Sequence, residues 1–401
     1  MLTDRSLLYA SAGLRATAVG LAGIILALHL VLLGFDAGAI GLAISLGLAG
    51  CAVGTLIVTA VADRVGRRAT LGLLALLMAG GGAALALTTQ APFILVSALF
   101  GMLNGMGRDR GAGLTVEQAI LPQTTTPGGR TAAFAWYNLA VDAGHAIGAL
   151  LGGLPALLRA RAGLPPLASY QWAWGVYSVL CLIAGLLALR FSRAVEFTGV
   201  APVARLSLAS RRLVTKFAAL SGLDSLGGGF LTTALLSYWF FRRFGVNEGL
   251  LGPLFFTVRV ANGLSHLGAA WLAKRIGLVN TMVWTHLPSS LLLMTVPFAP
   301  TLPIAIALFL VRESFVEMDV PTRQSYLVSI VREEERTRAA GLTNLTRNVA
   351  WTIAPAVAGS LMRAVSLSAP LVIGPGLKVA YDLLLYRAFR RLKPPEEAGR
   401  A

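Results

Sequence analysis

Arg108, Asp109, Arg110 and Glu117 lie inside one long apolar stretch of the chain, and Arg312, Glu313, Glu317, Asp319 and Arg323 lie inside another. If such stretches cross a bilayer, each charge costs at least about 2.5–3.5 kcal/mol, so each needs a partner or a task. Carboxylates in that setting can carry protons: desolvation favours the neutral acid, and a neighbouring guanidinium favours the anion. Spacing sharpens the reading. Arg110, Gly113 and Glu117 step by three and four, which puts them on one face of a helix. Glu313, Glu317 and Gln324 do likewise, with Pro321 bending the helix between them. Asn138 and Asn344 are further polar residues in apolar surroundings, at matching places in the two halves of the chain.

Other groups invite chemistry with less direction. Asp224 is followed by Gly227-Gly228-Gly229, each glycine weakening a helix by about 1 kcal/mol relative to Ala. A helix that bends beside a cavity is one reading, and close helix packing is the other. Asp142 and His145, at i and i+3, would share a face as a proton relay, as two metal ligands or as a structural hydrogen-bonded pair. His29, His266 and His286 are scattered, so neither a metal nor any other cofactor is expected. Arg259 and Arg347 lack an obvious local partner. With Arg110 and Arg312 they would either make a cavity positive or neutralise Asp109, Asp224, Glu313 and Glu317. Lys378 and Asp382, at i and i+4, read as an ion pair on the last helix.

The elements that must position these groups follow from composition. The 401 residues are 13% charged and 56% hydrophobic, with a mean hydropathy of +0.72, where a soluble domain would be about 25% charged. A spanning helix needs roughly 20 mostly apolar residues. Stretches of that kind recur near 14–34, 38–62, 70–89, 92–121, 131–156, 169–190, 214–241, 249–273, 279–298, 301–331, 337–362 and 367–388. The alternation of a membrane barrel is absent. The expectation is an all-α membrane protein of twelve transmembrane helices in two pseudo-symmetric halves, 1–191 and 213–401. A hydrophilic linker at 192–212 joins the halves, and a short basic tail closes the second.

The net charge of +16 does not point to nucleic acid. Most Lys and Arg fall in loops on the N-terminal side of the expected spans, including Arg64, Arg67, Arg68, Arg130, Arg193, Arg211 and Arg336. Few fall opposite, among them Arg159, Arg242 and Arg363. That asymmetry predicts cytoplasmic termini in a bacterial inner membrane, with lipid headgroups rather than a polyanion facing the basic loops. Arg15 sits inside the first apolar run, which is longer than a signal-peptide core and reads as a retained span. Cys51 and Cys181 both lie in apolar stretches and read as packing residues, not a disulfide or metal set.

The chain also repeats itself. Gln118, Arg130, Asn138 and Gly153 recur at one constant offset as Gln324, Arg336, Asn344 and Gly359. The basic turn Ala62-Asp63-Arg64-Val65-Gly66-Arg67-Arg68 returns as Ala273-Lys274-Arg275-Ile276-Gly277-Leu278. Internal repeats of this size mark several transporter folds. The segment Thr59-Ala60-Val61-Ala62-Asp63-Arg64-Val65-Gly66-Arg67-Arg68 resembles the signature between the second and third helices of the major facilitator superfamily. One departure is Thr59, where that family usually has Gly. Met318-Asp319-Val320-Pro321-Thr322-Arg323-Gln324-Ser325-Tyr326 and Leu377-Lys378-Val379-Ala380-Tyr381-Asp382 resemble uncharacterised prokaryotic members.

The resemblance implies a secondary transporter, not an enzyme, working by alternating access around a cavity lined by helices one, four, seven and ten. It also implies that Asp63 engages the start of the eleventh helix, near Arg336, as a conformational latch. The bland alternative is that Asp63 only offsets its arginine neighbours. A Glu117–Arg323 bridge between the halves is a second expected closure, against each residue being satisfied within its own half. No phosphate-binding glycine loop is present, so energy comes from a gradient. Proton-coupled efflux by a monomer, with Glu117, Asp224 and Glu313 as leading proton carriers and Asp109 and Glu317 behind them, is the main expectation. An uncoupled uniporter or an importer of a small metabolite is the alternative, and a membrane-embedded enzyme or sensor the remote one.

Overall fold

The computed structural model describes residues 3–109, 111–126, 129–196, 207–332 and 335–392. Among them are sixteen α-helices: α1 (Asp4–Leu32), α2 (Ala37–Val65), α3 (Arg67–Leu87), α4 (Ala91–Phe100), α5 (Ala112–Ile120), α6 (Arg130–Leu151), α7 (Leu154–Ala162), α8 (Pro166–Leu189), α9 (Leu208–Gly229), α10 (Thr233–Phe244), α11 (Glu248–Ile276), α12 (Leu278–Thr295), α13 (Leu302–Val316), α14 (Asp319–Ser329), α15 (Arg336–Ala364) and α16 (Ala369–Phe389). Each expected apolar stretch is helical, but the fourth, fifth, seventh and tenth are interrupted. Among the described residues, five segments are long and apolar enough alone to cross a membrane: Asp4–Leu32, Ala37–Val65, Arg67–Leu87, Ala132–Ala162 and Pro166–Leu189.

Sequence chemistry sets the ends. Thr3, Asp36, Ser207 and Thr232 cap α1, α2, α9 and α10 by accepting backbone N–H bonds, as short polar side chains do at orphaned first turns. The repeated basic turns have repeated geometry. Gly66 has φ +104° and Gly277 φ +87°, a region a Cβ would disfavour, and each leads directly into the next helix.

The apolar surface is a membrane surface. α1 is almost wholly buried, whereas about half of the most apolar window of α2, α3 and α8 is exposed. Leu56, Ile57, Leu73, Leu76, Phe93, Val96 and Leu186 are all more than half exposed. So many exposed large side chains suit lipid and not water. This is an all-α, multi-pass membrane protein.

The chain divides into two compact units, residues 1–199 with 232–259 and 355–363, and residues 200–231 with 260–354 and 364–401. In the first, α1 packs against α6, α8 and α10, and α3 against α8. Glycines permit the closest approach: a Cβ on Gly148 of α6 would lie 2.1 Å from the Thr17 carbonyl oxygen of α1. In the second, α12 packs against α16, α13 and α14. Phe217, Tyr326 and Phe389 stack edge to face or tilted at the centre of its apolar core.

Candidate functional site

Within the first unit the fourth apolar stretch unwinds between Phe100 and Ala112. Asn104 shapes this break: its side chain accepts from Met106 N at 2.8 Å and donates to the Arg108 carbonyl at 2.7 Å. Thr233 and the backbone N–H of Ala234 then hold the Met106 and Gly105 carbonyls. The break delivers Asp109 to Arg15 on α1, and the same guanidinium reaches Glu117 on α5. Tyr137 of α6 donates to Glu117 at 2.8 Å. His145 accepts the Asp109 backbone N–H through Nε2 at 2.8 Å. Arg15, Glu117 and His145 are all buried, and Arg15, Asn104 and Asp109 border a small cavity.

Within the second unit one carboxylate gathers three cations. Asp224 of α9 accepts from Lys378 of α16 at 2.8 Å and from Arg323 of α14 at 3.1 Å, and Arg347 of α15 stands 3.5 Å away. Asp319 shares Arg323 at 2.7 Å, and Arg347 lies over the Trp351 ring at 4.7 Å. His286 of α12 joins Lys378 at 3.1 Å to Asp382 at 3.1 Å. Nearby, Glu313 pairs with Arg312 and accepts from Asn262 at 2.9 Å. Buried charges so arranged are paired and hydrogen-bonded, the condition under which they persist.

Several expectations change. Glu117 is satisfied within its own unit by Arg15 and Tyr137, and Arg323 within its own by Asp224 and Asp319. Arg110 lies outside the described residues. α5 begins at Ala112 and carries Gly113 and Glu117, so the expected face shared with Arg110 also lies outside the described residues. The tenth stretch breaks at Glu317–Met318, ahead of Pro321, which therefore sits in the first turn of α14. Glu313 and Gln324 are on different helices. Lys378 and Asp382 do not close on each other, because Lys378 turns to Asp224 and both meet His286. Asp142 is exposed while His145 is buried. Among the described residues no group of three or more His, Cys, Asp or Glu could hold a metal. Asn138 and Asn344 are exposed and belong to neither network, and Arg259 donates to Thr233 at 3.1 Å.

At the basic turn, Asp63 is half exposed and accepts from Arg67 Nε at 2.8 Å. Arg64 is exposed, and Arg68 donates to the Leu189 carbonyl at 2.6 Å. The side chains of Arg336 and Lys274 lie outside the described residues. The sequence reading missed Glu196, whose carboxylate accepts the Arg67 and Arg68 backbone N–H groups at 2.6 and 3.3 Å. A carboxylate at a helix N-terminus meets both the orphan donors and the positive end of the helix dipole.

At the opposite end of the first unit, Glu248 at the start of α11 is 2% exposed. It pairs with Arg159 of α7 and accepts from Tyr170 of α8 at 3.1 Å. The exposed Asp36 caps α2 and meets Arg363 at 3.2 Å. The Ala39 N–H first, and Arg363 after it, hold the Asp36 carboxyl below its ordinary value. In the second unit Glu335 accepts from Ser207 N at 2.6 Å and the Ser210 hydroxyl at 2.5 Å. The Ser210 hydroxyl, then the Ser207 N–H, push its carboxyl down to about 2.

Arg15 had one overlooked signal. It is a charge inside the first apolar run, where a buried partner is required. His286 had none, since its partners lie far away in sequence.

Residues 8–219 and 217–401 each match the family model described as Major Facilitator Superfamily. The chain is 26% identical, over 95% of its length and 93% of the relative's, to the uncharacterized membrane protein YJR124C of Saccharomyces cerevisiae. That likeness to a yeast protein shows that the resemblance is not confined to prokaryotic chains. Among solved structures, the nucleoside transporter NupG superposes with a TM-score of 0.77 at 14% identity, covering 97% of this chain and 100% of that one. A D-xylose-proton symporter gives 0.73 at 14% identity, covering 96% and 97%. The human organic anion transporter MFSD10 gives 0.62 at 18% identity, covering 96% and 100%. At these identities the likeness is one of fold.

Proposed function

Because the chain belongs to the Major Facilitator Superfamily, we propose that it carries a small polar metabolite into the cell by alternating access, with protons as the coupling ion. It is a membrane transporter and not an enzyme. Its helices make twelve crossings in this reading, with the fourth, fifth, seventh and tenth each built from two pieces. Both termini face the cytoplasm, the positive-inside side, and the protein works as a monomer in contact with membrane lipid.

The observation that carries this reading is Asp224 among Arg323, Arg347 and Lys378, beside the break between α9 and α10 at Phe230–Leu231. Intramembrane ionisable groups mark substrate or ion paths, and broken helices are tolerated where they line a protein-enclosed cavity. In the first unit, Arg15 with Asp109 and Glu117 gives a second ionic centre at another broken helix. Uptake is favoured over efflux because a nucleoside transporter and a xylose-proton symporter share the fold closely. Asp109, Glu313 and Glu317 remain proton-path candidates. Arg110, Arg259, Arg312, Asp142 and His145 remain candidates for the cavity, and the Asp63 turn for the latch.

Purified protein in proteoliposomes, given labelled nucleosides, monosaccharides and organic anions with and without an imposed pH gradient, tests the reading. Accumulation of one class driven by an inward proton gradient is the expected result. Gradient-driven loss from loaded vesicles would establish efflux antiport, and flux indifferent to pH would establish a uniporter.

A further inference from the structure

His286 stands where one proton decides which residue holds Asp224. It lies in the middle of α12 and is 1% exposed. Nδ1 is 3.1 Å from both carboxylate oxygens of Asp382. Nε2 is 3.1 Å from Lys378 Nζ and 3.8 Å from Asp224 Oδ1. An ammonium has only hydrogens to give. Lys378 therefore donates to the Nε2 lone pair, and the imidazole carries its own proton on Nδ1, donated to Asp382. The ring in this arrangement is neutral.

The surrounding charges agree with that state. Asp382, Lys378 and the Tyr381 ring face His286 from α16, and Asp224 faces it from α9. Behind Asp224 stand Arg323 and Asp319 of α14 and Arg347 of α15. On α13, Arg312 and Glu313 pair with each other, and Ser289 of α12 donates to the Arg312 carbonyl at 3.2 Å. Arg323, Arg347 and Lys378 balance Asp224, Asp319 and Asp382, and Arg312 balances Glu313. The cluster is neutral in sum only while His286 is neutral.

We propose that His286 is a proton-binding site of the second unit, and that its protonation transfers Asp224 from Lys378 to His286. The inference rests on the proton-coupled reading above and assigns the coupling ion to residues outside the carboxylates named there. A proton arriving from water forms an N–H bond at Nε2 and uses up the lone pair that Lys378 needs. It sets imidazolium against ammonium, and it gives Nε2 a hydrogen to donate to Asp224. Lys378 then leaves, and its return expels the proton.

The movement would be felt at the end of α9. A Cβ on Gly227 of α9 would lie 2.6 Å from the Gly374 carbonyl oxygen and 3.0 Å from Lys378 Cγ. α9 and α16 therefore touch along the Lys378 stem, within a turn of the break at Phe230–Leu231. Displacing that stem alters the contact that fixes the end of α9.

Nuclear magnetic resonance of the full-length protein with isotope-labelled histidine, in lipid nanodiscs between pH 8 and 5, tests the site without any transported substrate. His286→Gln assigns the signal among the four histidines. The expected spectrum is the Nδ1–H neutral form at pH 8, converting to the doubly protonated form on acidification. In Lys378→Met the fixed tautomer is lost and an Nε2–H population appears. A wild-type His286 that keeps one neutral form throughout, or that is Nε2–H at pH 8, would overturn the proposal. Proton-driven uptake alongside a silent His286 removes this site and leaves the transport reading. A titrating His286 in a protein that moves no solute with the proton gradient removes the transport reading and leaves the site.

Discussion

Arg15 of α1 and Asp224 of α9 each bring a buried charge to a buried residue of opposite charge within their own unit. Arg15 bridges to Glu117, and Asp224 accepts from Arg323 at 3.1 Å.

Arg15→Met should leave Asp109 and Glu117 buried without their cation and cost about 3–5 kcal/mol, the usual penalty for breaking a buried pair. Adding Asp109→Asn and Glu117→Gln should recover most of it. Denaturant unfolding in detergent measures both, and equal stability of the single and triple variants would refute an ionic role for Arg15.

At the basic turn, Glu196→Ala removes two N–H contacts from the start of α3. A cap of this kind contributes about 1 kcal/mol. Asp63→Asn removes one half-exposed contact, and exposed pairs contribute about 0.2–1 kcal/mol. Glu196→Ala should therefore lower the melting temperature more and speed protease cleavage between Glu196 and the start of α9. Asp63→Asn should slow transport cycling far more than Lys274→Asn does. Equal transport effects would reduce the turn to a topological anchor.

The helices and the turn were legible because they depend on local apolar length and on glycine. The four breaks were not. Gly101, Gly105 and Gly107 signalled weakness in the fourth stretch, but the contacts of Asn104, Thr233 and Ala234 that stabilise an open backbone come from distant segments. The same limit explains the bridges: i, i+3 and i, i+4 spacing ranked Lys378 with Asp382 and Asp142 with His145, while Lys378 took partners on other helices and His145 took the Asp109 backbone at the break.

Acid should weaken two contacts outside the membrane segments. Glu335 has its carboxyl pushed from 4.5 to about 2 in the folded protein. Its contribution is present above the unfolded value and is lost as pH falls toward 2. The stability gap between wild type and Glu335→Gln should be largest near pH 5 and shrink steadily below about 4.5. Asp36 is lowered in the same sense, so Asp36→Asn should follow the same trend, with its small effect already present at neutral pH. Melting curves taken across this range decide both, and a gap that widens on acidification would contradict the sign.

Glu248→Gln should loosen the end of the first unit where α7, α8 and α11 meet, because it removes the anion shared by Arg159 and Tyr170. A single cysteine placed at Ala156 should react faster with a membrane-impermeant maleimide in that background. Asp36→Asn, acting on an exposed pair, should change the rate little.

Gly148→Val should be among the most disruptive apolar substitutions in the chain, since even its Cβ would overlap the Thr17 carbonyl oxygen. Gly175→Val, on α8 with open space around its Cβ position, is the control. Yield and monodispersity of the purified protein report the difference.

The first compact unit includes residues 232–259 and 355–363, which has a consequence for synthesis. When the ribosome has delivered the first six apolar stretches, the carbonyl of Gly105 still lacks the Ala234 N–H, Arg159 lacks Glu248, and Gly41 lacks the Pro355–Gly359 backbone against which it packs. The N-terminal half therefore enters the membrane unfinished. Its last surfaces are covered only after α15 has emerged, so truncation before that helix should yield a species recognised by membrane quality control rather than a stable half-transporter.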